Sequence, residues 1–309
     1  MSFVFIVSSL IAGAQHIAPN YLQLSDEPQI IPLKWKADSM NGIWDEHAAL
    51  LIPVKINNCT KEFYMQFDLG SSSSVLYTEK LQSIGKMFPK AASLIDSNSK
   101  LHAFELMAGK TKIKAQEIVA ISMPGDIDWR KNSVNIIGTL GTDLIDDREV
   151  VIDYPGQKLV LNYQLNRIDT IIHTTDLMYA RRSILLPAII KDKQTILYFD
   201  TGSSAFELLT NEKTAHVLAM PNAVEKRYPV ESWGKTLTAV SIPTSDSIII
   251  AGHQLPLKKA TYIEGVSDSQ VSQMMKMGIG GMTGNKLFLH SKLYLDLKNK
   301  KFALMSLGK

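Results

Sequence analysis

The sequence predicts a mostly β molecule of two lobes, each a β-barrel-like half, related to one another by pseudo-two-fold symmetry. Three observations predict it: a length of 309 residues, an internal duplication, and strand-and-turn patterning between the duplicated segments. That length is enough for two ordinary domains, each able to bury its own core. The duplication is legible at both ends of each half. Residues 52–72 read IPVKINNCTKEFYMQFDLGSS and residues 184–204 read ILLPAIIKDKQTILYFDTGSS. Each has an apolar strand, a polar turn, a second apolar strand, then Phe-Asp-x-Gly-Ser-Ser. An offset of 132 residues carries Asp68 onto Asp200.

The halves also close alike. Residues 136–161 and 279–304 align without a gap at an offset of 143, matching Gly138 with Gly281, Gly141 with Gly284, and Asp153 with Asp296. The second half therefore carries about eleven extra residues between its motifs, an insertion of the kind surface loops accept. Val150–Tyr154 and Leu293–Leu297 are β-rich, and each leads through a tight turn (155–158, 298–301) into another short apolar run. Strand, tight turn, strand is the pattern of a hairpin. Short helices are expected near residues 79–84, 211–219 and 268–277, and a linker near 162–182. The expected organisation is a leader over residues 1–14, one lobe over 15–165 and a second over 166–309.

Composition excludes several classes of function. Charged residues make up 20% and hydrophobic ones 45%, with a net charge of +3 spread along the chain, which lacks the concentrated basic footprint of a nucleic-acid binder. Phe3–Ala14 is an uncharged apolar run ending in Ala12-Gly13-Ala14, which reads as a signal peptide with a small-x-small cleavage site. It is too short to span a bilayer, for which about 20 residues are needed. With the single cysteine Cys59 no intrachain disulfide can form, so the expected location is exported, periplasmic or extracellular, leaning to a bacterial setting. Cys59 sits in an Asn-Asn-Cys-Thr turn and is not expected to be a nucleophile. The seven histidines include no His-Glu-x-x-His or comparable pair, so neither metal nor other cofactor is expected. Neither a Gly-x-Ser-x-Gly elbow nor a complete phosphate-binding loop is present.

Phe199-Asp200-Thr201-Gly202-Ser203-Ser204 resembles the signature of the pepsin-like and retropepsin-like aspartic proteases, and Phe67-Asp68-Leu69-Gly70-Ser71-Ser72 is similar to it with one departure. The resemblance spans residues 45–305 in pattern and is specific around the four quoted segments. It implies a pepsin-like acid-protease fold and an endopeptidase that takes a peptide or protein as substrate and acts as a monomer. It also implies that Asp68 and Asp200 form a catalytic pair. Peptide hydrolysis without a metal needs an activated water and a proton for the leaving nitrogen. Two carboxylates about 3 Å apart share one proton, so that one is the base and the other the acid. By the same resemblance Gly70 and Gly202 shape tight turns, Ser71 and Ser203 orient the outer carboxylate oxygens, and Thr201 clasps the opposite lobe.

Two departures bear on activity. Leu69 stands where the family carries Thr or Ser, so half of the clasp should be missing and replaced by apolar packing. No tyrosine lies between Thr78 and Asn135, where the family carries a lid tyrosine, which leaves Phe104 or Met107 on the segment 102–113 as candidates for an apolar lid. The competing reading is a catalytically impaired member of the fold that binds peptides. Asp153 and Asp296 precede hairpin turns and are expected to cap them, and Asp143 has no motif beside it.

Overall fold

The computed structural model describes residues 19–40, 42–91, 95–164, 173–232, 235–265 and 278–305. The expected leader, the centre of the linker and the expected helix at 268–277 lie outside the described residues. Among those described, no helix is long and apolar enough to cross a membrane.

The molecule is mostly β. One eight-stranded sheet is built from residues 22–140 and another from residues 178–283, and a six-stranded sheet joins them. In each lobe the apolar strand before the motif pairs in parallel with the closing strand of that half. Phe63–Phe67 lies beside Ile136–Leu140, and Lys193–Phe199 beside Ile279–Thr283. Even the irregularity is duplicated, since the register shifts between Tyr64 and Met65 in one lobe and between Ile196 and Leu197 in the other. On its other edge each closing strand pairs antiparallel with the short strand after the motif, Val75–Tyr77 or Leu208–Leu209. Each Asp loop is thus the crossover between two strands that grip one central strand.

The close fit requires small residues in the closing strands. A Cβ added to Gly138 would meet the Val75 carbonyl at 2.3 Å, and one added to Gly281 would meet that of Leu209 at 2.5 Å. No side chain fits either place.

The two closing hairpins are Glu149–Asp153 with Lys158–Leu161, and Lys292–Asp296 with Lys301–Met305. They pair with each other through Glu149–Asp153 and Lys292–Asp296, making the six-stranded sheet that fixes one lobe to the other. Val150, Ile152, Leu293 and Leu295 are fully buried in the common core. Asp153 accepts the Gly156 N–H at 2.8 Å and Asp296 the Asn299 N–H at 2.8 Å, so both cap their turns. Helices occupy Thr78–Met87 and Glu212–Leu218, close to expectation; Asn211 begins the second by accepting the Thr214 N–H at 2.9 Å.

Candidate active site

Asp68 and Asp200 each follow the last residue of a buried strand, and the backbone treats them alike. The Asp68 N–H donates to the Leu140 carbonyl at 3.0 Å, and the Asp200 N–H to the Thr283 carbonyl at 3.0 Å. The two loops meet face to face, and each carboxyl lies close enough to the other to bear on its titration. Gly70 and Gly202 make this approach possible. A Cβ on Gly70 would lie 2.5 Å from the Asp200 carboxyl carbon, and a Cβ on Gly202 would lie 2.5 Å from that of Asp68. Each glycine is therefore the seat of the opposite carboxylate, a tighter constraint than the local turn read from the sequence.

The surroundings of the two carboxyls differ. Asp200 accepts the Gly202 N–H at 2.8 Å and the Ser203 hydroxyl at 2.7 Å. Asp68 accepts only backbone donors in the loop, from Gly70 at 3.0 Å and Ser71 at 3.2 Å. The Ser71 hydroxyl, expected on the outer oxygen of Asp68, instead donates to the Ser73 carbonyl at 2.8 Å, because the loop curls back on itself there. Both aspartates are almost wholly buried, at 4% and 1% exposed. Burial pushes both carboxyls up, and Asp68 well above the ordinary range because the charge of Asp200 faces it and fewer donors support its anion.

The clasp is one-sided, as Leu69 implies. Thr201 Oγ1 donates to the Phe67 carbonyl and accepts the Leu69 N–H, each at 2.8 Å. Leu69 returns no hydrogen bond from its side chain and is fully buried in the main core. Two ties that the motif did not reveal supplement it. The Tyr198 hydroxyl donates across the lobes to the Gly70 carbonyl at 3.1 Å. Arg182 donates to Asp146 at 2.7 Å and to the Ser72 carbonyl at 3.3 Å, anchoring the far end of the Asp68 loop.

Beneath the loops, matched residues do matched work with different chemistry. Thr142 donates to the Leu69 carbonyl at 2.9 Å, and Asn285, its repeat mate, donates to the Thr201 carbonyl at 2.8 Å. Asp143 is buried without touching the pair; it accepts the Ser74 N–H and hydroxyl, both at 2.7 Å.

The expected lid is corrected. Phe104 is 3% exposed within the core, and the turn at Gly109 lies against Pro32, where an added Cβ would meet its Cδ at 2.7 Å. The hairpin of Lys100–Ala108 and Thr111–Ile121 is thereby packed down, with Met107 half-buried opposite Lys112 and Lys55. Cys59 is half-buried, and burial pushes its thiol up, away from nucleophilic character. Among the described residues no group of three or more metal-ligating side chains occurs.

No protein-family model matches the chain, and no curated protein matches it. Among solved structures it is similar to an aspartic proteinase from Irpex lacteus, at 10% identity over 91% of this chain and 97% of that one, with a TM-score of 0.49. A likeness that distant bears on neither activity nor the roles of residues.

Proposed function

We propose that the protein is an aspartic endopeptidase that hydrolyses peptide bonds with a water activated by Asp68 and Asp200. The observation that carries this reading is the reciprocal seating of the two buried carboxyls on each other's glycine. Nothing in the folding of a β-sheet protein calls for it, and burying adjacent acids is costly. In this reading Asp200, supported by Ser203 and Gly202, is the base that takes a proton from water. Asp68 holds the shared proton and donates it toward the carbonyl oxygen of the bond under attack. As the tetrahedral intermediate collapses, a proton passes to the leaving nitrogen and the pair returns to its starting state. Thr201, Gly70 and Ser203 act by positioning, and the Ser71 N–H replaces its hydroxyl as a support of Asp68.

The same reading makes the chain a monomeric, exported enzyme of the periplasm or exterior, with lobes meeting near residue 165 and peptide or protein as substrate. A second reading, a peptide-binding protein with impaired turnover, is favoured by Leu69 and by the rotation of the Ser71 hydroxyl away from Asp68. Incubating a mixed peptide pool with the wild type and with Asp200→Asn over about pH 3 to 8 separates the two. Cleavage that vanishes in the variant is expected. Peptide retention without cleavage by a folded wild type would establish the second reading instead.

A further inference from the structure

The loop that carries Asp200 runs on through Ala205, Phe206 and Glu207, which form one wall of a groove of about 220 Å³. Trp44 and Asp45, on the hairpin Lys34–Met40 and Ile43–Ile56 of the first lobe, form the facing wall. Trp44 is 66% exposed, an unusual place for a large aromatic ring with nothing else to cover. The floor is one face of a three-stranded antiparallel sheet, Lys226–Ser232, Lys235–Ile250 and His253–Glu264. Its register sets Lys226 opposite Ser241, Ser241 opposite Thr261, and Pro243 opposite Lys259, so these side chains share the groove side. Tyr228 Oη, Ser241 Oγ and Thr261 Oγ1 form a hydroxyl chain with links of 2.7 Å.

Charge in the groove is unbalanced. Three lysines, at 226, 259 and 286, face two carboxylates. Lys286 is paired with Asp45. Glu207 is satisfied by the backbone N–H groups of Lys258 and Lys259, at 2.5 and 3.0 Å, and needs no ammonium partner. Among the described residues the ammonium groups of Lys226 and Lys259 make no ion pair. Two ammonium groups outside any ion pair thus stand on either side of a hydroxyl-lined floor, under an exposed indole, and with Glu207 still charged the groove keeps a net positive balance.

The geometry points to this groove as a subsite that selects an acidic side chain, Glu or Asp, flanking the bond presented to the carboxyl pair. The inference rests on reading the inter-lobe groove as a peptide cleft. The carboxylate is received between Lys226 and Lys259, its methylene groups lie against Trp44, and the hydroxyl chain supplies further polar contact.

The test uses the full chain carrying Asp200→Asn, immobilised and equilibrated at low ionic strength with a dodecapeptide pool in which every Glu peptide has a Gln counterpart. Retained peptides are counted by mass spectrometry. The expected retention of Glu over Gln members is about fivefold, as two exposed ion pairs supply. Adding Lys226→Met and Lys259→Met, both at exposed positions, should bring the ratio to about one, and Trp44→Ala should lower retention of both members. A ratio of one in the parent, an unchanged ratio in the lysine variant, or no retention at all overturns the inference. Cleavage of the same pool by the wild type is scored separately. Glu selectivity without cleavage removes the protease reading and leaves the subsite, whereas cleavage without selectivity does the reverse.

Discussion

The Asp68 loop and the Asp200 loop descend from one pattern but are finished differently. Both strands, both closing glycines and both aspartate N–H bonds are matched, down to the register shift. The Asp200 carboxyl is then supported from within its own loop, by the Gly202 N–H and the Ser203 hydroxyl. The Asp68 loop is completed from outside: Thr201 clasps it, Tyr198 reaches its Gly70 carbonyl, and Arg182 holds its Ser72 carbonyl. One lobe therefore acts as the template and the other is moulded to it. In the proposed mechanism that asymmetry makes Asp200 the base, because the better-supported carboxyl is the one that keeps its charge.

Substituting the two glycines would break the comparison most severely. Gly70→Ala and Gly202→Ala each push a methyl into the opposite carboxyl at 2.5 Å, so both are expected to lose activity below detection and about 3 kcal/mol of stability. Equal losses, read by urea unfolding and peptide cleavage, would show that the seating is symmetric although the loops are not. A tolerated Gly70→Ala would mean that the two carboxyls do not meet in solution.

Thr201→Val comes next. It leaves the Phe67 carbonyl and the Leu69 N–H without their partner in a buried interface, at a cost of about 2 kcal/mol. The reverse change, Leu69→Thr, offers the missing clasp but exchanges a filled apolar site for a hydroxyl. A net loss of about 1 kcal/mol is expected unless the hydroxyl finds a carbonyl across the lobes. Unfolding midpoints of the two variants would show whether the first lobe has committed to packing in place of hydrogen bonding.

How much of this was legible in the sequence follows from the duplication. Whatever occurs twice could be read: the aspartates, their glycines, the closing segments, and the caps at Asp153 and Asp296. What occurs once could not. Tyr198 sits just before the motif in an apolar strand, where it reads as core, and Arg182 lies in a turn with no motif around it; both reach backbone carbonyls in the other half, which carry no sequence signal. The direction of the Ser71 hydroxyl depends on the curl of Ser72–Ser73 and not on residue type. Pairing between the hairpins at Glu149–Asp153 and Lys292–Asp296 spans nearly half the chain, a contact that local patterning does not encode. Phe104 was misplaced because a hairpin's position in the sequence says nothing about which neighbour its tip packs against.

Smaller in effect, Ser203→Ala and Ser71→Ala sharpen the difference between the loops. Ser203→Ala removes the one hydroxyl on Asp200 and should cost roughly tenfold in kcat/KM, as a hydrogen bond to a charged group implies, and move the acidic limb of the pH profile upward. Ser71→Ala should stay within about twofold, since its hydroxyl serves the Ser73 carbonyl. Equal losses in the two variants would mean that the Ser71 hydroxyl turns back to Asp68 when substrate binds.

The subtlest contrast is thermal. Asp68 keeps its proton in the folded state at pH values where the unfolded chain has released it, because burial and the facing Asp200 push its carboxyl well up. Its contribution to stability is therefore complete below the unfolded value and is lost as pH rises through the folded one. Asp68→Asn keeps a neutral group in place at every pH, so its Tm should exceed that of the wild type by a few degrees at pH 7 and match it near pH 3. Asp200→Asn should gain less or lose, because the amide gives up an acceptor that Ser203 and Gly202 use. Differential scanning of both variants at the two pH values reads the proton's place directly: a larger gain at pH 7 for Asp200→Asn would put it on Asp200 and exchange the roles of base and acid.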